Sequence, residues 1–262
     1  MKLKLYQVDA FTDKVFSGNP AAVCPLEAWL PDSVMQNIAF ENNLSETAFY
    51  IKQDSNYLIR WFTPTVEVDL CGHATLATAH VLFNHEKHTG NEITFESHRS
   101  GALKVYKSNQ LFTLDFPTDI INKIDWPDKL NSGFNFFPVE AYKGKTDYML
   151  VFENEDQVRN IQPNLPVIST WNVRGVIVTA KGKNSDFVSR FFGPQSGVNE
   201  DPVTGSAHTT LTPYWTDKLG KQELSAIQLS ERKGYLTCQQ LGNRVHISGK
   251  AKTYLIGEIK IE

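Results

Sequence analysis

The sequence predicts an α+β protein made of two similar domains. Three observations support this prediction: alternating apolar and polar runs recur along the whole chain, helical patterns are few, and one stretch of pattern occurs twice. The 262 residues provide one large domain or two of about 130 residues each. With 41% hydrophobic and 21% charged residues, the composition is that of a globular protein.

Alternation of apolar and polar residues predicts many strands along the chain. In the first half the runs are 3–11, 46–52, 57–63, 92–96, 103–107 and 111–116. In the second half they are 148–152, 173–180, 187–192, 235–239, 244–248 and 254–261. We therefore expect sheets, with few helices packed against them.

The first of three helical segments begins near residue 32. Asp32 or Ser33 is expected to cap it, because short polar side chains accept hydrogen bonds from the first free N–H groups of a helix. Met35, Ile38 and Ala39 would then lie on one face of the helix.

The other two helical segments are rich in small residues, and each begins at a glycine. Gly72 opens the run HATLATAHVLF, and Gly205 opens the run SAHTTLTPYWTDKL, which we expect to end at Gly220. Small side chains on every face allow a helix to sit inside other structure, so we expect a curved sheet around each one. Pro213 lacks an N–H group and is expected to kink or restart its helix.

Residues 48–75 and 176–208 share one pattern. Each contains a strand, a polar turn and a second strand with an Arg-aromatic-Phe triplet, which begins at Arg60 in one copy and at Arg190 in the other. An acidic, Pro-containing loop and one of the two glycine-marked helices follow. A repeat in each half predicts duplication and a pseudo-twofold pair of domains. Residues 117–138 are rich in Pro, Asp and Asn and are expected to form the crossing between the domains.

Charge and composition exclude several classes of function. The net charge of −3 gives no basic excess for nucleic acid. Apolar runs fall short of the roughly 18–20 residues of a membrane helix, and the charged start MKLKLYQVDAF contains no signal segment, so we expect a cytoplasmic protein. Three scattered cysteines predict neither a disulfide framework nor a zinc site, and we expect no metal.

Known motifs for nucleotides and for serine hydrolysis are missing from the sequence. No GxxxxGK[ST] loop and no GxGxxG after a strand are found, and Ser206 lacks the GxSxG context of a hydrolase. His85 and His88 have the spacing HxxH, but their polar neighbours indicate a solvated helix end rather than a metal site.

The starts of the two glycine-marked helices are candidate anion sites. The first turn of a helix has free N–H groups and a partial positive charge. If Gly72 and Gly205 faced one another across a cleft, the two helix starts would hold a small carboxylate from two sides. The alternative is that both glycines only permit close helix packing.

Three polar side chains near these helix starts are candidates for acid/base chemistry. Glu46 begins an apolar strand, where desolvation would suit a proton carrier, or else it is an exposed strand-end residue. His73 follows Gly72 and is either functional or a satisfied core histidine. Asp201 precedes the second helix and is either functional, a loop residue or a cap.

The order and spacing of these motifs resemble the PhzF-like family of phenazine biosynthesis isomerases, relatives of diaminopimelate epimerase in fold. The motifs are VDAFT at 8–12, FSGNPAAV at 16–23, NLSET at 43–47, RWFTP at 60–64, CGHAT at 71–75, EDPVTGSAH at 200–208 and RVHISG at 244–249. Each motif is weak alone, but together they span nearly the whole chain.

The resemblance implies two domains, 1–117 and 118–262, each a β-barrel-like sheet around a central α-helix, with 250–262 able to return to the first. It implies a homodimer, an active site between the domains and chemistry without a cofactor. Glu46 would move a proton within a small carboxylate similar to trans-2,3-dihydro-3-hydroxyanthranilate. His73 and Asp201 would hold and polarise its polar groups, and the helix starts at Gly72-His73 and Gly205-Ser206 would bind its carboxylate.

The departures from diaminopimelate epimerase limit the chemistry. That relative uses two cysteines, whereas this chain has Cys71 at the first helix start and Thr204 at the second. A threonine hydroxyl is too weak an acid to replace a thiol, so two-thiol epimerisation is disfavoured and Cys71 is expected to be a packing residue. A racemase or epimerase that uses one carboxylate, and a binding protein of the same fold without turnover, remain alternatives.

Overall fold

The computed structural model describes residues 1–261, with the backbone alone at 128 and 129. The chain forms two compact units: Met1–Asp115 with the residues from Ser248 onward, and Phe116–Ile247. The last strand therefore belongs to the first unit, and the second unit ends near residue 247 rather than at the end of the chain. One boundary between the units falls within the strand Leu111–Pro117, and the other falls within the strand Arg244–Gly249.

Strands are the main regular secondary structure of both units. They are β1 (Lys2–Ala10), β2 (Asn19–Leu26), β3 (Glu46–Gln53), β4 (Asn56–Phe62), β5 (Glu67–Val68), β6 (Glu92–Ser97), β7 (Gly101–Ser108), β8 (Leu111–Pro117), β9 (Asn122–Lys123), β10 (Glu140–Lys143), β11 (Asp147–Val151), β12 (Gly175–Lys181), β13 (Phe187–Phe192), β14 (Glu223–Gln228), β15 (Gly234–Leu241), β16 (Arg244–Gly249) and β17 (Ala251–Lys260).

Helices are few, as the sequence predicts. They are α1 (Asp32–Asn42), α2 (Gly72–Asn84), α3 (Glu155–Asn160), α4 (Leu165–Ile168) and α5 (Gly205–Leu219), with 3₁₀ turns at Asp128–Gly133 and Pro194–Ser196. Within residues 1–261, no helix combines the length and the apolar character needed to cross a membrane.

The strands of both units pair in the same order. In the first unit the pairs β1/β2, β3/β4 and β6/β7 are antiparallel, and β2/β3 and β4/β6 are parallel. In the second unit β10/β11, β12/β13 and β14/β15 are antiparallel, and β11/β12 and β13/β14 are parallel. Every parallel pair is joined through a helix, as parallel neighbours require.

Each unit also contains the same ion pair. The Arg60 guanidinium binds both oxygens of Glu67, at 2.7 and 2.8 Å, and that of Arg190 binds both oxygens of Glu200, at 2.7 and 2.9 Å. Each guanidinium also lies over the phenylalanine two residues further along its own strand. Planar two-point pairing of this kind fixes geometry as well as charge, so it holds the loop before α2 in one unit and the loop before α5 in the other.

Helix α2 is enclosed on every side. All eleven residues from Gly72 to Leu82 are buried. Ala and Thr dominate the run, and their small side chains let the surrounding strands approach the helix closely. Thr75 and Thr78 satisfy their hydroxyl groups inside the helix by donating to the carbonyls four residues earlier. The helix therefore buries polar residues without leaving their hydroxyl groups unbonded.

Helix α5 runs without interruption through Pro213, so the expected restart at this residue is wrong. Pro213 cannot donate to the carbonyl of Thr209, four residues earlier. The backbone N–H of Asp119 donates to that carbonyl instead, at 3.2 Å. Asp119 also accepts a hydrogen bond from the Thr210 hydroxyl at 2.9 Å. Gly220 ends the helix in the left-handed conformation that the sequence predicts.

Helix α1 buries Met35, Ile38 and Ala39 as expected, but its predicted capping is wrong. Pro31 is the N-cap residue, and no side chain caps the helix. The Asp32 carboxylate instead accepts a hydrogen bond from Arg60 at 2.9 Å. The N-cap residue thus lies one position before the expected cap, and Asp32 lies in the first turn of the helix, where its side chain pairs with β4.

Buried histidine His208 makes the stability of the second unit sensitive to acid. It is 0% exposed, and its Nδ1 donates to the Thr204 carbonyl at 2.8 Å. Burial lowers its pKa from 6.5 to about 4. Between these values the unfolded chain binds a proton at His208 and the folded chain does not, so acid favours unfolding.

We expect the free energy of unfolding to fall by about 3 kcal/mol through this one group between pH 7 and pH 4. Urea unfolding at several pH values measures this loss. His208→Asn retains a donor near the Nδ1 position but carries no titrating ring, so its unfolding free energy should depend less on pH. Equal pH dependence in the two proteins would contradict the assignment.

Candidate active site

The first group of candidate residues lies at the start of α2. Strands β2 and β3 are parallel, with Ala21 opposite Glu46, so Asn19 and Glu46 both lie at the edge where these strands begin. Helix α2 begins at Gly72 and brings His73 to the same edge. Three separate segments of the first unit thus supply one polar cluster.

Glu46 and His73 are in direct contact. The Glu46 Oε2 and His73 Nε2 atoms are 3.1 Å apart, and the two side chains are 15% and 5% exposed. The ring N–H does not point at the oxygen, and neither atom has an aligned hydrogen-bond partner among residues 1–261. Both atoms are therefore able to bind a substrate.

Negative charge near His73 favours its protonated form. Burial disfavours the imidazolium, but the charges of Cys71 and Glu46 outweigh burial and hold the pKa of His73 well above its usual range. Cys71 contributes only as a thiolate, and burial raises the pKa of that thiol to about 11. While the thiol is protonated, the neighbour that favours the imidazolium is Glu46, whose Oε2 lies 3.1 Å from His73 Nε2.

Asn19 holds the other side of the His73 ring. This residue is 0% exposed, with Nδ2 3.1 Å from His73 Nδ1, and its Oδ1 accepts a hydrogen bond from the Ser45 hydroxyl at 3.1 Å. A hydroxyl both donates and accepts, so the amide can present either its N–H or its oxygen to the ring. Asn19 can therefore stay bonded to His73 when the ring gains or loses a proton.

Gly18 is needed to place Asn19. Its φ angle is +68°, and an added Cβ would lie 2.1 Å from the Ala10 carbonyl oxygen. Only glycine fits a left-handed position this close to another backbone segment. The GNP sequence thus fixes the start of β2 against β1.

Cys71 completes the group without taking part in the ion pair. It is the N-cap residue of α2, and its Sγ lies 3.5 Å from His73 Nδ1. One atom from each side chain, namely a carboxylate oxygen of Glu46, the sulfur of Cys71 and a ring nitrogen of His73, lies within 4.8 Å of the other two. With its raised pKa, the thiol stays protonated at neutral pH and is a poor base.

The second group of candidate residues surrounds the start of α5 in the other unit. Thr204 is the N-cap residue, and its hydroxyl donates to the Asp201 carboxylate. Gln228 is 0% exposed and accepts a hydrogen bond from the Thr204 N–H at 2.8 Å. Its Nε2 donates to the Asp201 carbonyl at 2.8 Å. Asp201 is therefore neither the cap nor a loosely held loop residue.

Ser206 sits beside a cation. Arg174 donates from Nη1 to the Ser206 hydroxyl oxygen at 3.0 Å, and it also pairs with Asp147. A serine oxygen that accepts from arginine leaves its own O–H free to donate. The free N–H groups after Gly205 and this hydroxyl therefore all present donors to an anion.

The structure thus divides the predicted site residues into two groups. Glu46, His73 and Gly72 lie together in the first unit, and Asp201, Gly205 and Ser206 lie together in the second.

Sequence reasoning missed four supporting residues: Asn19, Ser45, Arg174 and Gln228. Asn19 and Ser45 stood within quoted motifs, and a polar residue between a glycine and an apolar strand is a signal that could have indicated Asn19. Arg174 and Gln228 reach the site only through the pairing of distant strands, which no local pattern reveals.

Comparisons with known proteins place the chain in a family. The profile of the phenazine biosynthesis-like proteins, PhzC-PhzF, matches residues 8–257. A protein from Pseudomonas aeruginosa named an uncharacterized isomerase is 49% identical over 261 residues, which covers all of both chains.

Solved structures show the same relationship. A PhzF-family phenazine biosynthesis protein from Enterococcus faecalis is 48% identical, with a TM-score of 0.96 and full coverage of both chains. A hydroxyproline epimerase from Agrobacterium vitis is 11% identical with a TM-score of 0.62, and it covers 98% of this chain and 92% of its own, so it shares the fold alone. The expected epimerase-like α+β fold is confirmed, and the chain belongs to the phenazine biosynthesis-like family of isomerases.

Proposed function

We propose that this isomerase moves a proton between two carbons of a small cyclic carboxylate, with Glu46 as the single base and acid. The contact between Glu46 and His73 carries the proposal: a carboxylate with a free acceptor atom lies 3.1 Å from an imidazole, and both side chains are largely removed from water. The substrate class, similar to trans-2,3-dihydro-3-hydroxyanthranilate, follows from the family resemblance.

The proposed reaction needs no external reactant. Glu46 takes a proton from one carbon, the electron pair of that C–H bond shifts through the adjacent double bonds, and the carboxylic acid returns the proton to another carbon. The atoms and electrons of the substrate are conserved, so the reaction is an isomerisation. His73 donates to the substrate where negative charge develops, and its position deep in the fold strengthens that interaction.

A carboxylate base is favoured over a thiol base by the state of Cys71. Burial raises the pKa of this thiol to about 11, so the thiolate is rare at neutral pH. The N-cap residue of the second helix is Thr204, whose hydroxyl is already donated to Asp201. The starts of α2 and α5 thus offer one thiol and no second one, and we propose that one carboxylate serves both proton removal and proton return.

Each of the two helix starts is proposed, by itself, to offer donors to a carboxylate. The N–H groups after Gly72 have no acceptor within their helix, and those after Gly205 are joined by the Ser206 hydroxyl. Asp201 is proposed to hold a polar group of the substrate. The homodimer that the resemblance implies stays a prediction, and sedimentation measures it.

Glu46→Gln should abolish turnover while leaving binding intact. The amide keeps the shape of the side chain but cannot accept a carbon-bound proton. We expect isomerisation to fall by about 10²–10⁴-fold. Product formation and deuterium uptake from D₂O, followed by NMR with the dihydroanthranilate and related cyclic amino acids, measure the loss.

Glu41→Gln is a matched control, because Glu41 is an exposed residue of α1 in the same unit. It should behave as the wild type. If Glu46→Gln turned over the substrate at the wild-type rate, the assigned base would be wrong. Stabilisation of wild type and variant by the same carboxylates, with no turnover by either, would favour a binding protein. A racemised amino acid would indicate the epimerase alternative.

Asn19→Asp should shift the titration of His73 upward. A carboxylate beside Nδ1 favours the imidazolium, so the pKa of His73 should rise by about one unit or more. The ¹⁵N chemical shifts of the ring report its protonation directly, and the pH profile of kcat/KM should move in the same direction. Asn37→Asp adds the same charge at an exposed position of α1. Identical ring titrations in these two variants would refute the role of Asn19.

Asp201→Asn should lower kcat/KM by about 10²-fold, because the amide loses the negative charge proposed to hold a substrate group. The amide still accepts from Thr204, so the unfolding free energy should change little. Asp217→Asn, at an exposed position of α5, is the control. Equal kcat/KM for the two variants would remove Asp201 from the reaction.

A further inference from the structure

The side chains of Glu46, Cys71 and His73 lie together near the start of α2, and the proposed isomerisation does not use all three. Glu46 and His73 serve the reaction, whereas Cys71 does not. Yet a thiol, an imidazole and a carboxylate lie within 4.8 Å of one another in a largely buried place. Thiolate, imidazole and carboxylate are also the protein ligands that zinc prefers.

We propose that Cys71, His73 and Glu46 bind a soft divalent cation such as Zn²⁺, and that the bound ion inhibits the isomerase. This proposal rests on the proposed function for the inhibition, but the binding itself does not depend on it. The ion is an inhibitor rather than a resident cofactor, because it occupies the carboxylate that the reaction needs.

The separations of the donor atoms suit a tetrahedral ion. Zn–S bonds of about 2.3 Å and Zn–N bonds of about 2.0–2.1 Å put neighbouring ligand atoms about 3.5 Å apart. The Glu46 Oε2 and His73 Nε2 atoms, which have no aligned hydrogen-bond partner among residues 1–261, are 3.1 Å apart, so an ion at Nε2 lies next to the carboxylate. One ligand atom from each of Glu46, Cys71 and His73 lies within 4.8 Å of the other two, and the Cys71 side chain turns toward the ion to complete the site.

Unused bonding capacity supports the site independently of the ligand types. His73 is 4% exposed, and its Nε2 and the neighbouring Glu46 Oε2 have no aligned hydrogen-bond partner among residues 1–261. A buried polar atom without a partner carries a desolvation cost that coordination of the cluster relieves. The 15% exposure of Glu46 marks the side from which an ion enters.

Binding has two local consequences. Cys71 gives its thiol proton and His73 gives the proton on Nε2 to the solvent as the two metal bonds form, while Asn19 keeps its contact with Nδ1. Binding also affects the reaction rate, because a Glu46 carboxylate that coordinates the metal cannot take a proton from carbon. Three protein ligands leave the fourth position of the ion for water or for a substrate carboxylate.

Hard cations should not bind, because Mg²⁺ prefers oxygen ligands in an octahedral arrangement and only one carboxylate is present in the cluster. The site therefore predicts a specific order of inhibition, with Zn²⁺ effective and Mg²⁺ without effect.

Calorimetric titration of the metal-free, untagged protein with Zn²⁺ tests the site. We expect one high-affinity ion per chain, and we expect Cys71→Ser to weaken its binding by more than about 100-fold, since losing even a supporting contact costs 10–100-fold. Cys238→Ala is the matched control, because Cys238 is equally buried but lies in β15 of the other unit. Its affinity should equal that of the wild type.

A second measurement separates binding from inhibition. Zn²⁺ should inhibit isomerisation by the wild type and by Cys238→Ala, but not by Cys71→Ser, each compared with its own metal-free rate. Glu46→Gln, tested by calorimetry alone, should also bind more weakly. Equal Zn²⁺ affinity in wild type and Cys71→Ser would overturn the proposal, even if every isomerase assay were positive. One-to-one binding that depends on Cys71 would support the site even if no substrate were found.

Discussion

The complete burial of α2 is the constraint on which the first unit depends. A helix surrounded on all sides has no solvent-facing stripe, so its polar residues need protein partners. The threonines find them within the helix, but His73, in the first turn, cannot. Its ring meets Asn19 on one side and Glu46 on the other. The candidate site is thus a consequence of enclosing the helix, and its residues come from the strands that do the enclosing.

The second unit also encloses a helix, but the residues at the start of that helix are different. Helix α5 is also largely buried. Hydrogen bonds between Thr204 and Gln228 hold its start, where α2 has a cysteine and a histidine. An arginine, Arg174, lies beside Ser206. The shared strand order and the repeated Arg–Glu pair show one architecture in both halves, but the helix starts differ in chemistry. One offers a base and an imidazole, and the other offers donors to an anion.

The fold was largely predictable because period-two alternation marks half-buried strands directly. Most of the strands that went unpredicted lack this signal. Strand β2 reads NPAAVCPL, with two prolines and burial at nearly every position, and β5, β9 and β10 are short. Strand β14 alternates in burial but was not predicted. The cap of α1 was wrong because the N-cap residue lies one position earlier, at Pro31, which has no capping side chain. Glu46 and His73 were found as candidates, yet their contact depends on the packing of α2 against β3, which no local pattern reveals.

A buried carboxylate and imidazole are a poor way to stabilise a fold. Removing two such groups from water costs more than their attraction returns unless every remaining hydrogen bond is satisfied. Here the facing atoms lie at 3.1 Å without alignment, so the pair leaves part of its bonding capacity unused. An apolar pair would pack there at lower cost. The arrangement is therefore better explained by the binding proposed for it, of a carbon acid at Glu46 or of a soft cation together with Cys71, than by a contribution to stability.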